Sequence, residues 1–186
     1  MFTAKVFGIL IFGFATMGLL QGKVHGFHID IIGAILGDSG QYPLGTTQGY
    51  FLHNTGVAMI AWLGGFAVIG PFYILWENGA NIGSYIGMAF YEAHPNAAEF
   101  GQVGALAFLV PHGIFEIPAI ILSISLGVYI AKTMLDMQYM ELDYSMRDTF
   151  IVTVPYMLIV IGLLAIAAFI EANISVDFAL MVGELL

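Results

Sequence analysis

The chain lacks cysteine and is poor in charge, and these two absences exclude several classes of protein. Its 186 residues contain no cysteine, so disulfides, thiolate metal sites and cysteine nucleophiles are excluded. Only 9% of the residues are charged, against about a quarter in a typical soluble domain. Because so few charges cannot cover a surface that faces water, lipid must be the main solvent of this chain.

Basic residues are the scarcer of the two kinds of charge. Four lysines and arginines stand against 13 acids, which gives a formal net charge of −9. A nucleic-acid partner would need a basic patch, and so would a polybasic lipid-binding surface. The sequence also lacks a P-loop, a dinucleotide fingerprint and a serine-nucleophile motif. We therefore expect no nucleic-acid partner and assign no enzymatic activity.

What the chain does contain is long apolar stretches, with 60% hydrophobic residues and a mean hydropathy of +0.92. A membrane-spanning helix needs about 20 such residues. The sequence predicts an all-α polytopic membrane helix bundle that forms a single domain over residues 1–186. The expected spans lie near 4–20, 50–76, 79–91, 112–132 and 150–171, with an extramembrane loop over 21–49. The first stretch resembles a signal peptide, but no small-residue cleavage site follows it, so we interpret it as a retained span.

The few basic residues predict an orientation in the membrane. With five crossings, Lys5, Lys132 and Arg147 fall on one side and Lys23 on the other. Cytoplasmic loops favour lysine and arginine, so we expect a multi-pass protein of the cell membrane with its N-terminus in the cytoplasm. Glycines at positions 79, 83 and 87 form a smooth helix face. That face favours close helix packing, either within one chain or in a homodimer.

One apolar segment carries ionisable residues. His112 and Glu116 lie four residues apart between Pro111 and Pro118. Residues with this spacing share one face of a helix. An ionisable pair at membrane depth is costly and needs a partner, so it indicates a functional site by default.

Pro111 also predicts where a helix begins. Proline has no amide hydrogen and suits the first turn of a helix. We therefore predict a broken or re-entrant helix near residues 100–111 and a span that begins close to Pro111. In one straight helix from residue 100, Glu116 would lie about 24 Å below the outer end and far from Glu171. A start near Pro111 instead allows His112, Glu116 and Glu171 to meet.

This cluster has several interpretations. In a structural one, His112 donates to Glu116 or to a freed carbonyl, and the acids accept hydrogen bonds from Asn54, Asn78 or backbone amides. Its further members are Asn54, Asn78, Pro111, Gly113 and Pro118. Alternatively, one imidazole and two carboxylates bind a divalent metal ion as the only cofactor, or the cluster forms a proton or ion pathway or the centre of an intramembrane hydrolase. The segment lacks the two-histidine helix motif of zinc proteases.

Several motifs resemble those of one protein family. Residues 111–119 read PHGIFEIPA, which is similar to the signature of the stage II sporulation protein M family. Residues 165–172 resemble the closing span of that family, and Glu77-Asn78-Gly79 resembles its Asn-Gly turn. The segment from His53 to Ala58 resembles the start of its second span. Together these matches extend over residues 50–175.

The resemblance implies a small polytopic membrane protein. In spore-forming bacteria it implies a subunit that anchors peptidoglycan-degrading partners, and relatives also occur in organisms that form no spores. The expected function is therefore a scaffold or anchor that contacts the lipid bilayer and other membrane or cell-envelope proteins. The alternative is a metal- or proton-linked transporter or channel that uses His112, Glu116 and Glu171. A scaffold predicts a closed, paired cluster, whereas a transporter predicts a water-accessible cavity that reaches Glu116.

Overall fold

The computed structural model describes residues 45–90, 95–139 and 145–185, and within these ranges all regular structure is helical. The elements are α1 (Thr47–Leu63), a 3₁₀ turn (Gly64–Ala67), α2 (Ile69–Phe90), α3 (Pro95–Phe108), α4 (Val110–Tyr139), α5 (Met146–Asn173) and α6 (Ser175–Leu185). The predicted all-α class is confirmed for these residues. The expected first span (4–20) and most of the expected loop (21–49) lie outside them.

Two stretches are long and apolar enough to cross a membrane. One is Glu99–Tyr139, which joins most of α3 to α4, and the other is Met146–Asn173, which is α5. On α5 the exposed residues Ile151, Leu158 and Phe169 are as apolar as the buried Val160 and Leu164. A helix that is apolar on every side is typical of a membrane span or of the centre of a large protein. Length and composition are thus consistent with a membrane protein.

The core forms where α1, α4 and α5 pack against one another, and α2 covers one side of it. Its fully buried members include Ala58, Ala61, Ile74, Ile130, Val160 and Leu164. A second packing unit forms where α3 lies against α6, with Gly104 next to Ala179 and Gly183 next to Phe100. The two units meet where α3 leads into α4 and where α5 leads into α6.

Glycine brings the backbones of the core helices into direct contact. A Cβ atom on Gly127 of α4 would overlap the carbonyl oxygen of Ala61 in α1. A Cβ atom on Gly65 would in turn overlap the carbonyl oxygen of Gly127. Small residues are enriched where membrane helices approach this closely, because dispersion contacts between the backbones replace the hydrophobic driving force.

A sharp bend separates α1 from α2. Val68 adopts a positive φ of 63°, and Gly64 lies against Gly70. A bend and a close backbone contact therefore both occur at these residues. The predicted boundary between 76 and 79 is wrong as a helix boundary, because α2 continues to Phe90. Asn78 does not end the helix, since its Nδ2 donates to the carbonyl oxygen of Ile74 one turn earlier, at 2.9 Å.

One residue, Leu109, interrupts the helix between α3 and α4, and a re-entrant path of this segment stays a prediction. The amide of Leu109 donates to the carbonyl oxygen of Leu106 at 3.2 Å. The carbonyl oxygen of Ala105 accepts a hydrogen bond from the Tyr85 hydroxyl at 2.8 Å. Pro111 has no amide hydrogen to continue the ladder. From Val110, α4 runs to Tyr139, well past the expected end at residue 132, and Lys132 and Asp136 form an ion pair in its last turns.

The glycine contact between α1 and α4 gives a testable prediction. We expect Gly127→Ala to lower the free energy of unfolding by about 1–3 kcal/mol, because the added methyl group forces the two backbones apart. Gly162 of α5 is the matched control, since a Cβ atom there meets nothing within 4 Å. Gly162→Ala should be neutral or stabilising by up to about 1 kcal/mol. Thermal unfolding in detergent measures both, and equal shifts would contradict the packing described.

Candidate functional site

The predicted site residues lie together where the start of α4 packs beside the end of α5. His112 lies in the first turn of α4, Glu116 lies one turn later, and Glu171 lies in the last turn of α5. One possible ligand atom from each side chain lies within 4.8 Å of the other two. The sequence predicted that these three residues meet, and the structure places them together.

His112 is held in one orientation by its neighbours. The side chain is only 5% exposed, and its Nδ1 atom lies 3.0 Å from the Oγ atom of Ser175. Ser175 is the fully buried first residue of α6, and its hydroxyl also lies 3.5 Å from the carbonyl oxygen of Ile170 in α5. The Phe108 ring makes an edge contact with the imidazole at 5.5 Å between centroids. The Nε2 atom makes no hydrogen bond to any residue in the described ranges.

The two acids have no cationic neighbour among the described residues. Glu116 and Glu171 are both half-buried, and they interact electrostatically with each other. Tyr50 of α1 also lies within electrostatic range of Glu171. Lys132 lies about 24 Å farther along α4 than Glu116, where it pairs with Asp136. Two adjacent carboxylates that are partly removed from water repel each other, and sharing a proton or binding a cation relieves that repulsion.

The remaining predicted members of the cluster have other roles. Asn54 is buried on α1, on the face that also carries Tyr50, and its side chain makes no hydrogen bond to another described residue. Asn78 bonds within its own helix, so the expected donation from Asn78 to an acid is absent. Pro111 lies half-buried beside the interruption, and Gly113 and Pro118 line a neighbouring groove.

This groove is an open, almost wholly apolar depression of about 530 Å³ between α2, α3 and the start of α4. Residues that line it include Ile82, Ile86, Leu106, Ile114 and Ile117. None of the three clustered ionisable residues is part of its lining. The groove and the cluster therefore occupy different faces of α4.

Sequence reasoning missed Ser175 and Tyr50. Ser175 follows Glu171 by four residues, which is the same spacing that drew attention to His112 and Glu116, so a search for polar residues at that interval would have found it. Tyr50 comes from a different helix, and no spacing in the sequence connects it with Glu171. Its position follows only from the packing of α1 against α5.

The like-charged pair gives a prediction for the metal-free protein. In excess chelator, we expect Glu116→Gln to raise the free energy of unfolding by about 1–3 kcal/mol. The physical reason is Coulomb repulsion, which for two unit charges about 4–5 Å apart amounts to a few kcal/mol at an effective dielectric constant near 20. Glu184 on α6 is exposed, so Glu184→Gln is the control and should change stability by less than about 0.5 kcal/mol. A destabilised Glu116→Gln protein in chelator would show that the acid has a stabilising partner.

Comparison with known proteins assigns the chain to a family. The family model described as stage II sporulation protein M matches residues 4–176. The matched range contains all three clustered residues and also Ser175. No curated protein matches the chain, and no solved structure does.

Proposed function

The chain belongs to the stage II sporulation protein M family, and we propose that it is a multi-pass membrane protein that acts as a scaffold or anchor for partner proteins. In this proposal the chain crosses the membrane about five times with its N-terminus in the cytoplasm. The segment around α3 enters the bilayer without crossing it. The partners are other membrane or cell-envelope proteins, and the lipid bilayer covers the rest of the surface.

The observation that carries this proposal is the backbone-level packing of the helical core. At Gly65 and Gly127 the backbones of neighbouring segments are in contact, with no space for a side chain. A further contact between Gly64 and Gly70 holds the two sides of the bend together. Interiors packed at this density transmit strain and resist sliding. A bundle of this kind holds its outer surfaces in fixed positions, which is what an anchor for other proteins requires.

The outer surface available to partners is the exposed face of α5. Leu158, Ile159, Ile166 and Phe169 project from it, each with more than two-fifths of its surface accessible. These positions recur at helical intervals and form one apolar stripe. Either lipid or the apolar helix of a partner can cover such a stripe, so the choice between them is an experimental question.

A second candidate function is metal- or proton-linked transport, and the clustering of His112, Glu116 and Glu171 favours it. Ionisable residues at membrane depth commonly mark ion pathways and proton relays. This candidate requires water to reach Glu116. The apolar groove lies on a different face of α4, so it offers no such route.

Site-specific photo-crosslinking in native membranes tests the scaffold proposal. We expect a crosslinking amino acid in place of Leu158, which is 66% exposed, to form discrete adducts with other proteins. Leu164, on the same helix and fully buried, is the matched control and should give no adduct between chains. Adducts with lipid alone at Leu158, Ile166 and Phe169 would contradict docking on this face.

A transport assay on the same protein completes the test. Proteoliposomes that contain an indicator for divalent cations or for pH should show no flux above that of empty liposomes. Flux that occurs in the wild-type protein and disappears in Glu116→Gln would instead establish the second candidate function.

A further inference from the structure

We propose that His112, Glu116 and Glu171 bind one divalent transition-metal ion, and that Ser175 is the positioning residue that presents His112 to it. The proposal concerns a ligand of the helical core and does not depend on the scaffold function. It rests on the geometry of the three side chains, on their charge and on the contact between His112 and Ser175.

The separation of the three side chains suits a metal ion after a small adjustment. Their ligand atoms lie within 4.8 Å of one another. Around a tetrahedral ion with bonds of about 2.0–2.2 Å, neighbouring ligand atoms are about 3.3–3.6 Å apart. The difference of about 1.5 Å or less is within reach of side-chain rotation alone. Both glutamates are only half-buried, so their carboxylates have room to rotate.

Charge determines which class of ion fits. Glu116 and Glu171 together carry two negative charges when ionised, and the described residues supply no lysine or arginine to neutralise them. A divalent cation balances both charges, whereas a monovalent cation leaves one unbalanced. Imidazole is a ligand for zinc, iron and similar metals, whereas magnesium and calcium prefer oxygen donors. The combination of one histidine with two carboxylates therefore favours a divalent transition metal.

Ser175 supplies the outer contact that metal-binding histidines usually have. Its hydroxyl can donate to the Ile170 carbonyl oxygen and at the same time accept from the Nδ1–H group of His112. This arrangement fixes the neutral tautomer in which the lone pair lies on Nε2, the nitrogen with no hydrogen-bond partner among the described residues. Such contacts orient the ring and typically change metal affinity by about 10–100-fold.

A bound ion would also add a link between helices at the junction of the two packing units. It would tie the first turns of α4 to the last turn of α5, at the two places where the helices are interrupted. Through Ser175 it would also fix the start of α6, which packs against α3. The ion is thus expected to stabilise the junction between the two packing units.

Metal content and metal-dependent stability test the proposal. The full-length protein is purified in detergent, stripped with chelator, and incubated with zinc or manganese before elemental analysis and thermal unfolding. We expect about one bound ion per wild-type chain and a higher unfolding temperature. Glu116→Gln should lose both, whereas Glu184→Gln should keep both. In chelator, Glu116→Gln should unfold at a temperature at least as high as that of the wild type. With metal added, the wild type should have the higher unfolding temperature.

Ser175→Ala tests the positioning role separately. We expect metal affinity to fall by about 10–100-fold and Ser175→Thr to restore most of it. The metal-free unfolding temperature should also fall, because the buried Nδ1–H group of His112 loses its partner. This variant also keeps the proposal testable if Glu116→Gln fails to fold. The proposal is overturned if the wild-type protein binds neither ion, or if binding persists in both Glu116→Gln and His112→Gln. Crosslinks at Leu158 are measured independently, so loss of the metal site would leave the scaffold proposal standing.

Discussion

The packing of α4 along α5 is the constraint on which the site depends. The first turns of α4 lie beside the last turn of α5, so His112 and Glu116 reach the level of Glu171. Pro111, which has no amide hydrogen, follows the interruption at Leu109 that precedes α4. The buried carbonyl of Ala105 is satisfied by Tyr85 of α2, so the interruption leaves this buried acceptor with a partner.

A second break makes the arrangement complete. Ile174 separates α5 from α6, and Ser175 then enters the fully buried space next to His112. Each break therefore contributes polar groups to the same small region, with His112 and Glu116 from one side and Glu171 and Ser175 from the other. Elsewhere the core is mostly apolar and is closed by glycine contacts, which fix the helices firmly enough to hold this region in place.

The sequence allowed the main features of the site to be predicted, because they depend on local chemistry. The four-residue spacing of His112 and Glu116, and the position of Pro111 beside them, are enough to predict a shared face and a helix start. The predicted helix boundary near Asn78 was wrong, and the reason is equally local. Asparagine and glycine often end helices, but the Asn78 side chain bonds back to Ile74 and the helix continues.

Features that depend on distant parts of the chain could not be predicted in the same way. The position of Tyr50 beside Glu171 follows from how α1 packs on α5, and the burial of Ser175 follows from how α6 packs on α3. The scarcity of charge in the sequence was enough to indicate a membrane protein. The pairing of α3 with α6, in contrast, rests on glycine contacts at Gly104 and Gly183 that no periodic pattern indicated.

The convergence of α4 and α5 at the acids can be measured directly, because the natural chain contains no cysteine. A protein with both Glu116→Cys and Glu171→Cys should be crosslinked within one chain in membranes by a short bifunctional thiol reagent. The control pairs Glu116→Cys with Leu158→Cys, which lies about 20 Å from Glu171 along α5 and should not be crosslinked by the same reagent. A crosslink only in the first protein is the expected result. No crosslink in either, or equal yields in both, would mean that the two acids do not meet and that the shared site does not exist.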